Sequence, residues 1–461
     1  VRYIDNSADY KDYIDHFNDR LAGYIPPHEA WTPAEEALFA PDDLYDIPRG
    51  EALSRQFAAI HHAFSHHYEL NPMYRNFCES NSVSPRDINS TADLFKIPLI
   101  PDAFFKNYPT GKPFATWLGN LVTGNLPEIR IRQNNPSLDQ VIDSFNRSGM
   151  CVTYSSGTGG RHTVIPRDSA TFNASQYALA KCMLAMSYGR WIDRSDACLL
   201  MPDPRENYLH AGKALQVIFD IVGHVQVAIK SRISISVMGA VMNNGSGLKA
   251  RTVRFVSAHR SRQMIRQVID WLEERRHAPD FTFILGAPYL IYHVLVQLKK
   301  ENRSFSFGER GGVVTGGGWK IHEHERLPAG RFRELVEQVL GIPPVYCLDI
   351  YGMVEGNGWM IQCPEGHYLH VPWSYFMPMV LDEKLQPVPG GEWGRFAFLD
   401  GSASSYPGFI LTGDRARLLD KCPVCSRPGP VLDPEISRLA GQAGRGCGEE
   451  VRRMFAVNRQ E

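Results

Sequence analysis

The sequence predicts an α/β fold with a substantial parallel sheet that gives way to a β-rich portion towards the C-terminus. Three observations predict it. Short apolar runs at residues 197–201 (Ala-Cys-Leu-Leu-Met), 225–229 and 281–285 (Phe-Thr-Phe-Ile-Leu) have strand length and alternate with longer helical stretches. From about Val371 the texture changes to β-like pieces between turns, for example residues 394–399 and 409–412. At 461 residues and 43% hydrophobic composition the chain buries a large core, enough for two to three domains or subdomains.

The elements follow in order. Residues 1–50 are aromatic, acidic and proline-containing, and are read as an N-terminal extension of one or two short helices. Residues 51–78 carry Leu53, Phe57, Ile60, Phe64 and Tyr68 at steps of three or four, which predicts a helix. Ile97-Pro-Leu-Ile-Pro101 must be extended, because each proline disfavours helix in the residue before it. Residues 116–150 show no clear periodicity and are read as an insertion over the surface. Asp168 or Ser169 caps a helix with Phe172, Leu179, Met183 and Met186 on its buried face. Pro288 opens another helix at its first position. The segment 448–461 is a charged, helix-like tail, and the chain has no internal repeat or low-complexity tract.

Charge and cysteine usage exclude several classes. Lysine plus arginine number 49 against 50 acidic residues, so nothing points to nucleic acid or an anionic membrane as partner. No run reaches the ~18 apolar residues of a membrane span. Val1-Arg2-Tyr3-Ile4-Asp5 has no basic-then-apolar signal pattern, so a cytoplasmic location is expected. Nine scattered cysteines do not form a disulfide framework, and most, such as Cys182, read as small buried apolar residues.

Five motifs carry chemistry. Tyr154-Ser155-Ser156-Gly157-Thr158-Gly159-Gly160 follows the apolar Cys151-Val152-Thr153. Its glycines let backbone amides approach an anion, and its hydroxyls add donors. No Gly-Lys-Ser/Thr follows, so it is not a Walker A loop. Gly316-Gly317-Gly318-Trp319-Lys320 comes next, then Asp349-Ile350-Tyr351-Gly352-Met353-Val354-Glu355. Leu411-Thr412-Gly413-Asp414 puts a carboxylate at a turn, and Gly444-Arg445-Gly446-Cys447 lies near the C-terminus. A further group, the Cys422-Pro-Val-Cys425 knuckle with Cys363, His367 and His370, has the ligand types of a closed tetrahedral zinc site, structural rather than catalytic.

The order of these motifs resembles the adenylate-forming superfamily, and within it the acyl-protein synthetases of bacterial bioluminescence. The resemblance runs from about Glu51 to Arg453. It rests on Pro72-Met-Tyr-Arg-Asn-Phe77, Ile97 to Lys106, Ser156 to Gly160 with Arg167-Asp168, and Leu285-Gly-Ala-Pro288. It continues through Gly317-Gly-Trp-Lys320, Tyr351-Gly-Met-Val-Glu355, Gly366-His367 with His370-Val-Pro372, Ser405-Tyr-Pro-Gly408 and Arg445-Gly-Cys447. It implies an adenylate-forming core at residues 51–435, with a zinc-binding β-rich portion at about 363–425. A short segment, 436–461, would carry the acyl-accepting cysteine, and a full C-terminal lid domain is expected to be missing.

The resemblance also implies roles. Ser155, Ser156, Gly157, Thr158, Gly159 and Gly160 would wrap the β and γ phosphates of ATP. Glu355, with Thr158, would hold Mg²⁺. Gly317, Gly318, Tyr351 and Gly352 would border the adenine, and Asp414 would take the ribose hydroxyls. Lys320 and Lys106 are candidates for charge near the carboxylate or phosphate. Cys447, between glycines and two residues from Arg445, would take the acyl group as a thioester for a reductase or other acceptor protein. Cys363, His370, Cys422 and Cys425 resemble the zinc ligands of the phenylacetate–CoA ligase branch, with His370 favoured over His367. Two departures stand out. Val354 replaces the usual threonine that donates to the α-phosphate, and Arg161-His162-Thr163 stands where a lysine usually follows the loop. The alternatives are a ligase handing the acyl group to CoA, a carrier protein or an amine, and a non-catalytic scaffold.

Overall fold

The computed structural model describes residues 7–157, 161–186, 194–230, 235 and 248–439. Cys447, Arg445, Thr158, Gly159, Gly160, most of 233–239 and the tail from 448 lie outside them. The strands are β1 Ile100–Pro101, β2 Cys151–Tyr154, β3 Val164–Arg167, β4 Asp196–Pro202, β5 His224–Ile229, β6 Thr282–Gly286, β7 Gly311–Gly316 and β8 Cys347–Tyr351. They continue as β9 Met360–Gln362, β10 Leu369–His370, β11 Phe376–Leu381, β12 Trp393–Asp400, β13 Phe409–Leu419, β14 Val431–Leu432 and β15 Ser437–Arg438.

The expected parallel sheet is present as β5-β4-β6-β7-β8, all parallel. Helices Leu248–Glu274, Pro288–Lys300 and Ala329–Leu340 make the crossovers that parallel neighbours require. Alternation along β4 explains why its residues read as one unbroken apolar run. Cys198 and Leu200 pack with Val268, Leu272, Ile291, Leu295 and Val336, whereas Ala197 and Leu199 face a second, larger core. Both faces are covered, so neither carries polar residues.

At β9 the sheet turns antiparallel and runs on through β10, β14, β13 and β12 to β11, the change of texture expected near Val371. β2 and β3 form a separate antiparallel ribbon whose connection is the Ser/Gly loop. β1, held extended by Pro98 and Pro101, pairs in parallel with β13. Tyr13, Ile14, Phe17, Leu44 and Tyr45 share the core of the larger cluster.

Three expectations shift in detail. The predicted helix over 51–78 is two helices, Arg49–Leu70 and Pro72–Ser80, because Asn71 leaves helical geometry and caps the second by accepting from the Tyr74 amide at 3.0 Å. The buried stripe of the first is Ala52, Gln56, Ala59, Ile60, Ala63, Phe64 and His67. Two of those are polar and evade a hydrophobicity pattern. Gln56 donates to the carbonyls of Trp373 and Phe376, while His67 bonds Thr123 and the Ala403 carbonyl. Residues 116–150 are no bare surface insertion either. They hold the end of helix Lys112–Leu121 and all of Leu138–Arg147, the latter opened by a Ser137–Gln140 capping box.

Candidate functional site: a cleft at the carboxyl ends of the parallel strands

In open α/β sheets the crevice beyond the carboxyl ends of parallel strands is where ligands bind. Here the Gly317–Lys320 turn leaves the end of β7, and Met353 to Glu355 leave the end of β8. The loop between β2 and β3 is fastened to this edge. The Ser155 amide donates to the Thr163 carbonyl at 2.9 Å, and Ser155 Oγ accepts from the Thr163 amide at 2.9 Å. Gly157 has φ +71, and a Cβ there would lie 2.6 Å from His162 Nδ1, so both conformation and space require glycine. Arg161, noted as a departure, bonds Asn107 at 2.8 Å.

Thr163 links the loop to Glu355, its hydroxyl donating to Oε1 at 2.8 Å. Glu355 is only 6% exposed. Burial pushes its carboxyl pKa up, Lys106 pulls it back, and Asp102 adds to the rise. Desolvation disfavours the charged form of a buried carboxylate, and a cation close by restores it.

The backbone around Glu355 is held by Arg167, which is 1% exposed. Its guanidinium donates to the Val354 carbonyl at 2.7 Å, Thr153 Oγ1 at 2.9 Å, Tyr406 Oη at 3.2 Å, and the Gly356 carbonyl and Asn357 Oδ1 at 3.3 Å. The buried Asp400 carboxylate accepts from the Asn357 amide at 2.6 Å and supplies charge nearby. Val354 is itself buried and presents only its carbonyl to this network.

Tyr351 and Asp414 meet directly, Tyr351 Oη donating to Asp414 Oδ2 at 2.7 Å. Two residues not singled out from the sequence complete the group. β15 pairs with β13 so that Arg438 sits opposite Asp414, its Nε 3.1 Å from Asp414 Oδ1. The β1–β13 pairing delivers the turn after Pro101, where Asp102 ion-pairs with Lys106 at 2.5 Å and reaches Arg438 at 3.9 Å. A side chain at Gly413 would meet Arg438 at 3.2 Å and Asp102 at 3.6 Å, so this glycine permits their approach. Tyr351, Asp414 and Lys106 thus belong to one charge network.

Gly317 and Gly318 have φ +78 and +68, and Gly318 opens onto free space. Lys320 also has positive φ, +54, and folds back towards Gly317, where a Cβ would lie 3.7 Å from its Nζ. Burial lowers its pKa to about 8. Gly352 packs on the Trp359 indole, whose ring would be 2.6 Å from an added Cβ.

The cysteine–histidine group also assembles. One ligand atom each from Cys363, His370, Cys422 and Cys425 lie within 4.8 Å of one another. Cys363 Sγ to Cys422 Sγ is 3.9 Å, and Cys425 Sγ to His370 Nε2 is 3.3 Å. A tetrahedron with ~2.3 Å metal–sulfur and ~2.0 Å metal–nitrogen bonds has edges of about 3.8 and 3.5 Å, so the donor set fits zinc. His367 points elsewhere, its Nε2 3.1 Å from the Pro344 carbonyl.

Comparison with known proteins adds a likeness to one family. Residues 234–456 match the model described as acyl-protein synthetase, LuxE. A long-chain-fatty-acid–luciferin-component ligase of Vibrio harveyi is 24% identical over 398 residues, covering 86% of each chain. The chain is thus similar to the acyl-protein synthetases. The ligase of the same description from Aliivibrio fischeri is 29% identical over 178 residues, 38% of this chain and 46% of its own.

Among solved structures, 2-hydroxyisobutyryl-CoA ligase superposes in an open conformation with a TM-score of 0.56 at 15% identity, covering 90% of this chain and 81% of the other. Its post-adenylation state gives 0.58 at the same identity, with 90% and 73% covered. The fold is therefore that of the adenylate-forming ligases. The expected ligase-type enzyme is borne out by the likeness to the acyl-protein synthetase model and to the two long-chain-fatty-acid ligases. No helix among the described residues is long and apolar enough to cross a membrane.

Proposed function

We propose that this acyl-protein synthetase relative activates a carboxylic acid, a fatty acid first of all, in two steps. In the first, a carboxylate oxygen attacks the α-phosphorus of ATP and the bond to pyrophosphate breaks, giving acyl-AMP. In the second, the Cys447 thiolate attacks the acyl carbon, AMP departs with the bonding electrons, and a thioester remains for transfer to a reductase or other acceptor protein.

The observation that carries the first step is the Thr163–Glu355 bond, which ties the foot of the hydroxyl- and glycine-rich loop to a buried carboxylate on the segment leaving β8. In this reading the loop from Ser155 orients the β and γ phosphates. Mg²⁺ bound at Glu355 would neutralise charge on the departing pyrophosphate. Asp414, already oriented by Tyr351 and Arg438, accepts the ribose hydroxyls, and Gly317 and Gly318 leave room for the adenine. Lys320 faces the reacting carboxylate or the α-phosphate, replacing the donor that Val354 lacks.

The cysteine–histidine group would hold a structural zinc, closing the β9–β10 turn onto the loop after β13. Its four protein ligands leave no open position, so its contribution is to folding. Acid-dependent exchange of pyrophosphate into ATP tests the activation step. Exchange stimulated by fatty acids supports it, and absence of exchange across a broad acid panel in folded protein would leave the scaffold alternative standing.

A further inference from the structure

A second cluster of metal-ligating side chains lies outside the groups described above. His293 sits on helix Pro288–Lys300, and His322 and Glu325 on the 3₁₀ segment Lys320–Glu325. His293 Nε2 is 3.0 Å and His322 Nδ1 2.9 Å from the same oxygen, Glu325 Oε2. One ligand atom from each residue lies within 4.8 Å of the others. The three side chains are 26–33% exposed, open enough for solvent to reach one side.

We propose that His293, His322 and Glu325 form a binding site for a divalent transition-metal ion, a two-histidine, one-carboxylate facial triad with solvent in its open positions. Adjacent ligands at ~2.05 Å from an octahedral ion are about 2.9 Å apart, which is the spacing observed from each imidazole nitrogen to the carboxylate. The rings are set at separate angles, 81° between His293 and His322, as ligands converging on one point from two elements must be. His322 is oriented from outside by Tyr289, stacked on it at 4.6 Å and 12°. It also leaves helical geometry (φ −95, ψ 20) inside its segment. The neighbouring cation does not oppose the ion, because Arg326 is turned away to Glu323 at 2.9 Å and Glu435 at 3.8 Å.

A bound ion ties the segment that begins at Lys320 to the helix that follows β6, and so fixes the exit of the Gly317–Lys320 turn. The chemistry differs from that of the cysteine group, with borderline nitrogen and hard oxygen donors, no thiolate, and coordination left open. Cobalt(II) is therefore the discriminating probe. Titrating it into the full-length, zinc-replete protein is expected to give weak visible bands without the near-ultraviolet sulfur-to-metal bands that thiolates produce.

His293→Ala and His322→Ala, on separate elements, and Glu325→Gln are each expected to weaken that signal more than ~10-fold, since even outer-shell losses reach this size. Circular dichroism checks that each variant is folded. A wild-type protein that binds no cobalt without thiolate bands overturns the proposal, leaving two imidazoles hydrogen-bonded to a carboxylate. So does a signal undiminished in any two folded variants.

Discussion

Replacing Arg167 by methionine tests whether the turn carrying Glu355 is held from β3. Arg167 is buried, and its two shortest bonds, 2.7 Å to the Val354 carbonyl and 2.9 Å to Thr153, come from a charged donor. Each such bond contributes about 1.5–3 kcal/mol, and its loss leaves a buried acceptor without a donor. Three longer contacts at 3.2–3.3 Å add less. Against this, a methionine of similar reach removes a buried cation whose desolvation opposes folding. The balance is about 3 kcal/mol of destabilisation, roughly 100-fold in the folding equilibrium. Burial pushes the Asp400 carboxyl pKa up, and the substitution removes one of the groups that pull it back.

Urea denaturation followed by tryptophan fluorescence measures the stability change, and acid-dependent pyrophosphate exchange on the folded variant measures the site. Exchange should fall more than ~10-fold, because the carbonyls on either side of Glu355 lose their anchor and a misplaced catalytic group costs about that much or more. A change below ~1 kcal/mol with exchange intact would refute this account of the turn.

Other outcomes are expected. Glu355→Gln should leave stability unchanged or slightly raised, since it removes a buried charge, but lower exchange by ~10²-fold through loss of a metal-held interaction worth several kcal/mol; unaltered magnesium dependence would contradict this. Lys320, depressed to about 8 by burial, is charged below that pH and neutral above it. The KM for the acid should therefore rise as pH passes upward through 8, and a profile flat to pH 9.5 in wild type, or as steep in Lys320→Arg, removes Lys320 from the site. Elemental analysis should find about one structural zinc per chain, lost with the fold on chelation. His370→Ala should lose it and His367→Ala keep it, and the reverse result would reassign the ligand.

What could be read from the sequence depended on whether the signal was local. The runs at 197–201 and 281–285 announced buried parallel strands because both of their faces are apolar. Asp168 announced a helix start because a cap acts within three residues, here on the Thr171 amide at 2.8 Å. The cysteine knuckle was legible from spacing, and its partners from ligand type.

Arg167 lies within a legible motif, yet its burial is hidden, since an arginine before a capping aspartate reads as surface. Asp102 and Arg438 are not legible because only strand pairing brings them to the site: β1 on β13 delivers the turn that carries Asp102, and the two-residue β15 on β13 sets Arg438 opposite Asp414. The i,i+4 spacing of Asp102 and Lys106 was the available clue. The His293–His322–Glu325 cluster likewise joins two elements and leaves no motif. In helix Arg49–Leu70, inward polar residues at Gln56 and His67 shifted the buried stripe away from its hydrophobic trace.

Intact-protein mass measurement after incubation with ATP, Mg²⁺ and a panel of fatty acids shows whether ATP drives loading of an acyl group onto the chain itself. The expected result is a mass gain equal to the acid less one water, dependent on ATP, removed by hydroxylamine and absent in Cys447→Ser. Acyl-AMP formed with no covalent gain, or a gain that persists in Cys447→Ser, would contradict it.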